Sequence, residues 1–291
     1  MVTGTIRAGE QDLYFEVHGE GAPVVLIMGI GYDSSLWTLH QVPALAREFR
    51  VVIFDNRDVG RSARSAGRYT IADMADDVAG LLDGLEIERA HLVGLSMGAL
   101  IAQEFAVRHG ERLDRLVLSG PDMAPARQVI HPIAVWNWVK ANDASGVTFG
   151  AQQFASLFST TFLRDPAAVQ QTVALLSSNP HPVTPQAYSR QAHAYLEYDP
   201  GSRLAGIKAP TMIIVGEQDL LTPPWIAREV AAAIPGARLE IIAGDGASHV
   251  VPLERPDEFN ELVMRFLTTG SAASGIQNAA RFRDHRMSPT V

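Results

Sequence analysis

The chain has 291 residues, 47% hydrophobic and 19% charged, which is enough apolar material for one large core with an insertion. Its 24 Lys and Arg against 32 Asp and Glu give a net charge of −8, and no basic cluster offsets it, which argues against nucleic acid as a partner. With no Cys, disulfides and thiolate-held metals are excluded. No apolar run reaches the roughly 18 residues that span a bilayer, and the first residues lack a basic segment followed by an apolar one. The expectation is a cytoplasmic protein with no membrane partner; a homo-oligomer stays open.

In chain order, residues 11–18, 23–28 and 50–55 read as strands, the second an unbroken apolar run closed by Gly29-Ile30-Gly31. Apolar residues recur at helical spacing over 71–85 (Ile71, Met74, Ala75, Val78, Leu81, Leu82, Leu85), and Thr70 is placed to cap that helix. A strand over 90–95, a helix over 97–109 and a strand over 113–119 follow. This alternation predicts a parallel sheet covered on both faces. After Pro121 the rhythm breaks. Residues 123–206 read as a helical insertion, with prolines at 125, 132, 166, 180, 182, 185 and 200. The rhythm resumes with strands at 211–215 and 238–242 and helices at 224–233 and 256–267. The expected division is a core of 1–122 and 207–269, a helical block of 123–206, and a flexible tail of 270–291, which is rich in Gly, Ser, Ala, Arg and Asn.

Gly94-Leu95-Ser96-Met97-Gly98 lies between the strand and the helix. A sharp strand-to-helix turn holds a serine hydroxyl out for attack, and small neighbours permit it. The helix beginning at Met97 points free N–H groups and its positive dipole end at Ser96. Ser96 needs a base, and the base needs an acid to orient it. The turns after the later strands supply both: Asp219 after 211–215, and His249 after 238–242. In this scheme His249 takes the Ser96 proton and Asp219 holds the other ring nitrogen. Asp122, just after strand 113–119, is the rival acid; Glu217 and Asp245 are less well placed. The amides of Met97 and Ile30 are the candidate oxyanion donors, with Gly29 and Gly31 letting that loop approach the substrate. A plain glycine turn is the alternative reading of the loop.

Together Met28-Gly29-Ile30-Gly31, Asp55-Asn56-Arg57-Asp58-Val59-Gly60-Arg61-Ser62, Gly94-Leu95-Ser96-Met97-Gly98, Gly216-Glu217-Gln218-Asp219 and Ser248-His249 resemble the α/β-hydrolase fold serine hydrolases over roughly residues 10–269. The resemblance implies an α/β fold with a mostly parallel central sheet, helices on both faces, and a helical cap made by the 123–206 insertion. It implies hydrolysis of a small-molecule carboxylic ester or lactone through an acyl-enzyme, with neither metal nor organic cofactor. It makes Arg57 structural and leaves Asp58, where relatives carry glycine, without an account. Met28 stands where many members have histidine, so the support of the oxyanion loop must differ. Residues 90–98 and 110–118 are most similar to the 3-oxoadipate enol-lactonases. Ser96 departs from the dehalogenases, and Leu95 and Val250 depart from the C–C hydrolases. A cofactor-free perhydrolase or haloperoxidase-type enzyme, or a slow ligand-binding protein of this fold, is the rival reading.

Substrate choice is assigned to Met28, Gly29, Val250 and the apolar residues of the insertion, above all Trp136, Phe158 and Tyr195. Trp138, Phe154 and Phe162 are further candidates. Each can equally be packing. Arg190, His181 and His193 are the candidates for meeting a substrate carboxylate.

Overall fold

The computed structural model describes residues 1–124, 131–143 and 145–269; the tail expected over 270–291 lies outside them. Eight strands form one sheet: β1 (Val2–Ala8), β2 (Gln11–His18), β3 (Ala22–Ile27), β4 (Phe49–Phe54), β5 (Ala90–Leu95), β6 (Leu113–Ser119), β7 (Thr211–Gly216) and β8 (Arg238–Ile242). Their order is β1-β2-β4-β3-β5-β6-β7-β8. The β1–β2 and β2–β4 pairs are antiparallel and every other pair is parallel. Sequence reading found every strand but β1, whose residues are mostly exposed and so carry no apolar pattern. It also missed the short α1 (Gln41–Leu45) and the 3-10 turn before it at Ser34–Leu39.

The helices after the strands are α2 (Ile71–Gly84), α3 (Met97–Arg108), α9 (Pro224–Ala233), α10 (Val251–Glu254) and α11 (Pro256–Thr268). Between β6 and β7 run α4 (Pro132–Asn142), α5 (Val147–Leu157), α6 (Thr160–Leu163), α7 (Pro166–Ser177) and α8 (Pro185–Leu196). Thr70 caps α2 as expected: its Oγ1 accepts from the Asp73 amide at 3.2 Å while the Asp73 carboxylate accepts from the Thr70 amide at 2.7 Å.

Strand residues alternate between the two faces. Val25, Ile27, Val52 and Phe54 pack with α2, α3 and α9, whereas Val24, Leu26, Val51 and Ile53 pack with α1 and α11. All eight are 0% exposed, and each such side chain contributes about 1.5–3 kcal/mol. Among the described residues no helix is long and apolar enough to cross a membrane.

The segment after β4 is held by buried ion pairs. Asp55 is 0% exposed. It accepts from the Ser34 amide and hydroxyl at 2.9 and 2.6 Å, and from the Arg61 amide and Nε, each at 2.8 Å. Burial alone would raise its carboxyl pKa, but the bonds from Arg61 and Ser34 outweigh burial and hold it below the ordinary 3.8. A depressed native pKa contributes stability that is present above the unfolded value and lost as pH falls through the native one. Asp55→Asn is therefore expected to lower unfolding stability by about 3 kcal/mol at pH 7. The gap should narrow only below pH 3.8. Denaturant titrations of both proteins at several pH values check this; a gap already closing near neutrality contradicts it.

Candidate active site

Ser96 occupies the turn from β5 into α3 with φ 56° and ψ −120°, a conformation a non-glycine residue adopts only when its surroundings force it. The surroundings are close-packed backbone. A Cβ at Gly94 would lie 2.2 Å from the Gly98 carbonyl oxygen, and one at Gly98 would lie 2.1 Å from the Ile27 carbonyl oxygen. The two glycines thus let β5, α3 and β3 converge on the serine, and the Ser96 amide is bonded to the Ser119 carbonyl at 2.8 Å.

Asp219 follows β7 and His249 follows β8, both buried. His249 Nδ1 lies 2.8 Å from Asp219 Oδ2. Asp219 Oδ1 accepts from the Leu221 and Thr222 amides at 2.9 and 2.8 Å, and Oδ2 also accepts from Thr222 Oγ1 at 3.0 Å. The carboxylate is therefore oriented by its own turn before the histidine meets it. Thr222 Oγ1 is also 3.2 Å from His249 Nδ1. Sequence reading missed Thr222, although its place three residues after an aspartate is the spacing of a side-chain-closed turn. His249 Nε2 is buried and has no protein partner among the described residues.

Ser96 and His249 both line a cavity of about 580 Å³. Met28, Gly29, Ile30, Trp136, Phe158 and Val250 line it as well. Tyr195 does not, and its assignment to the substrate site is corrected. It is fully buried, with its hydroxyl 3.4 Å from Asp122 Oδ2. Burial, with the Asp122 charge beside it, pushes its phenol well above the ordinary range, so it stays neutral. Phe162 lines the cavity, stacked on Phe158 with ring centroids 4.2 Å apart, whereas Trp138 is 68% exposed.

Among the described residues no Lys or Arg lines the cavity, while Asp165, Asp245 and Glu254 do. Arg190 is engaged elsewhere: its Nε and Nη2 reach Asp58 at 2.8 and 2.6 Å. That pair accounts for Asp58. Its φ of 74° is the left-handed region that usually selects glycine and that aspartate tolerates best among charged residues. Its buried carboxylate ties α8 to the segment after β4. Arg57 is structural, paired with Asp77 at 2.6 and 2.7 Å. Asp122 is buried beside His131 and Tyr195. Among the described residues no group of three or more His, Asp and Glu is arranged to hold a metal.

The strand order, the elbow at Ser96 and the turns at Asp219 and His249 define a hydrolase of the α/β type. The family model for the alpha/beta hydrolase fold matches residues 22–256, and the chain belongs to that family. It is 33% identical over 282 residues to RutD of Caulobacter sp. strain K31, a candidate carbamate hydrolase, covering 94% of this chain and 100% of the relative. It is 34% identical over 268 residues to BpoC of Mycobacterium tuberculosis H37Rv, a candidate non-heme bromoperoxidase, covering 90% and 99%. Among solved structures, the enol-lactonase from Burkholderia xenovorans LB400 superposes with a TM-score of 0.79 at 30% identity, covering 91% of this chain and 100% of that one.

Proposed function

We propose that this hydrolase cleaves an uncharged carboxylic ester or lactone through an acyl-enzyme. The reading is carried by one observation: a buried His249 held by Asp219 at 2.8 Å, whose other ring nitrogen is unpartnered, shares an apolar cavity with Ser96 on a strained turn. In this mechanism His249 Nε2 takes the Ser96 proton as Oγ attacks the acyl carbon, then returns it to the leaving alkoxide. Water attacks the acyl-enzyme by the same route in reverse. Asp219 keeps the imidazole in the tautomer with its proton on Nδ1 and stabilises the imidazolium. The Ile30 and Met97 amides, which no protein acceptor takes among the described residues, receive the oxyanion. The helices α4–α8 act as the cap that shapes the cavity and excludes water.

The absence of Lys and Arg from the described lining, with three carboxylates present, supports an uncharged substrate. An enol-lactone bearing a free carboxylate meets no Lys or Arg among the described lining residues, and the carboxylates there disfavour it. A carbamate presents the same carbonyl chemistry and belongs in the same substrate panel. The test is turnover of matched lactones and esters, each as the methyl ester and as the free acid. The neutral member is expected to have a kcat/KM at least about tenfold higher. A preference for the acids overturns the neutral assignment.

The likeness to BpoC favours a second reading. Hydrogen peroxide in place of water would take the acyl group from Ser96, giving a peracid that oxidises bromide to hypobromous acid. Bromination in acetate with peroxide, faster than ester hydrolysis and lost in Ser96→Ala, would favour this reading; slow bromination beside fast hydrolysis marks a side reaction.

A further inference from the structure

We infer that Gln191, on α8, is a positioning residue that holds the oxyanion loop in place. This rests on the ester-hydrolase reading above. The loop Met28–Gly31 leaves the end of β3 and passes beside Ser96. Gln191 is 0% exposed, and its Oε1 accepts from the Gly31 amide at 2.8 Å while its Nε2 donates to the Arg57 carbonyl at 3.0 Å. That pairing fixes which way the amide faces, because the opposite orientation would set donor against donor and acceptor against acceptor. At the start of the loop, the Asn56 Nδ2 donates to the Met28 carbonyl at 3.0 Å. The peptides flanking Gly29 and Ile30 are therefore each tied by a buried side-chain amide.

Two consequences follow for the chemistry. The Gly31 amide is spent on Gln191, which leaves Ile30 as the loop's donor to an oxyanion. The Ile30 amide also gains a fixed position, because the next peptide in the chain is anchored to α8. The helix is itself held firmly: Arg190, the neighbouring residue, is bonded to buried Asp58, and Tyr188 packs against Gly31 so closely that a Cβ there would lie 2.9 Å from its ring. Where relatives of this fold carry histidine ahead of the loop glycine, this chain carries Met28, and the support comes instead from Asn56 and from the insertion. A helix of the block between β6 and β7 thus contributes to transition-state stabilisation as well as to the shape of the cavity.

Gln191→Met keeps length and bulk but removes both hydrogen bonds. We expect kcat/KM for p-nitrophenyl butyrate to fall about 10- to 100-fold, mostly in kcat, with KM within about threefold. The decisive readout is the ratio of kcat/KM for an ester and its thionoester, because sulfur is a poor hydrogen-bond acceptor and the ratio reports the oxyanion donors. It should fall about tenfold in Gln191→Met. Gln191→Leu removes the same two hydrogen bonds with a different apolar side chain, so its ratio should also fall about tenfold, and it gives the readout if the methionine variant does not fold. A wild-type ratio in folded Gln191→Met or in folded Gln191→Leu overturns the inference. Failure of the function reading looks different: the wild type itself turns over no ester, and both proposals then fall together.

Discussion

Ser96→Ala is expected to reduce ester hydrolysis by about 10⁶-fold in kcat, leaving only what the oxyanion donors and the binding cavity supply. Removing Oγ removes the bond-forming atom of the proposed mechanism, and Ser96 is the residue that stands on a strained turn and lines the cavity with His249. The effect on the fold should be small. Alanine at φ 56° carries the same backbone strain as serine, so the melting temperature should change by only a few degrees. Glycine at the same position should raise stability by about 1 kcal/mol by relieving that strain while being equally inactive, so loss of activity is separated from loss of structure. Steady-state assays with p-nitrophenyl esters and thermal melts of the three proteins provide the measurement. Undiminished turnover in Ser96→Ala moves the chemistry away from the elbow. Stoichiometric labelling of the wild type by a fluorophosphonate, with no repeated turnover of any ester, marks a slow ligand-binding protein instead.

The parallel strands and the candidate site at their carboxyl ends are legible in the sequence because each leaves a local mark. Buried parallel strands are continuous apolar runs, and the nucleophile turn must carry small residues two positions either side of Ser96. The position of Asp219 is legible for the same reason, since it sits in the turn after the buried run of β7, whereas β8 is short, carries charges and is largely unburied, so His249 is read from chain order and from the family resemblance. The insertion was legible only as helical. Its contribution to the site depends on which face of α8 turns inward, and the inward residues Tyr188, Gln191 and Tyr195 look no different in sequence from ordinary packing. Tyr195 was assigned to the cavity because it is aromatic; it is instead buried against Asp122. Arg190 was a candidate carboxylate binder because it is a cation in the insertion, and its true partner, Asp58, is 132 residues away. Long-range pairs of this kind leave no pattern in a single sequence. Asp58, which the sequence leaves without an account, and Arg190, a candidate for a substrate carboxylate, share one explanation that only three dimensions supply.

Asp219→Asn is expected to lower kcat by about 10⁴-fold, whereas Asp122→Asn should leave it within about threefold. The ranking follows from what each carboxylate touches. Asp219 Oδ1 is fixed by the Leu221 and Thr222 amides, so an asparagine would keep its oxygen there and turn its NH₂ toward His249. That donor would face Nδ1 at the 2.8 Å contact, and the imidazole would respond by carrying its proton on Nε2 instead. An Nε2 that already holds a proton cannot take another from Ser96 at neutral pH. The loss should therefore shrink at high pH, where hydroxide can deprotonate the serine directly. Asp122 has a different neighbourhood: the Met123 amide at 2.6 Å, with the Tyr195 hydroxyl and His131 Nε2 each at 3.4 Å. Its replacement disturbs the seat of α4 and α8 and should appear in the melting temperature more than in kcat. Rate–pH profiles of both variants decide between the two acids. A large, pH-dependent loss in Asp122→Asn with a near-normal Asp219→Asn would transfer the orienting role from the turn after β7 to the turn after β6, and would require His249 to change partners during turnover.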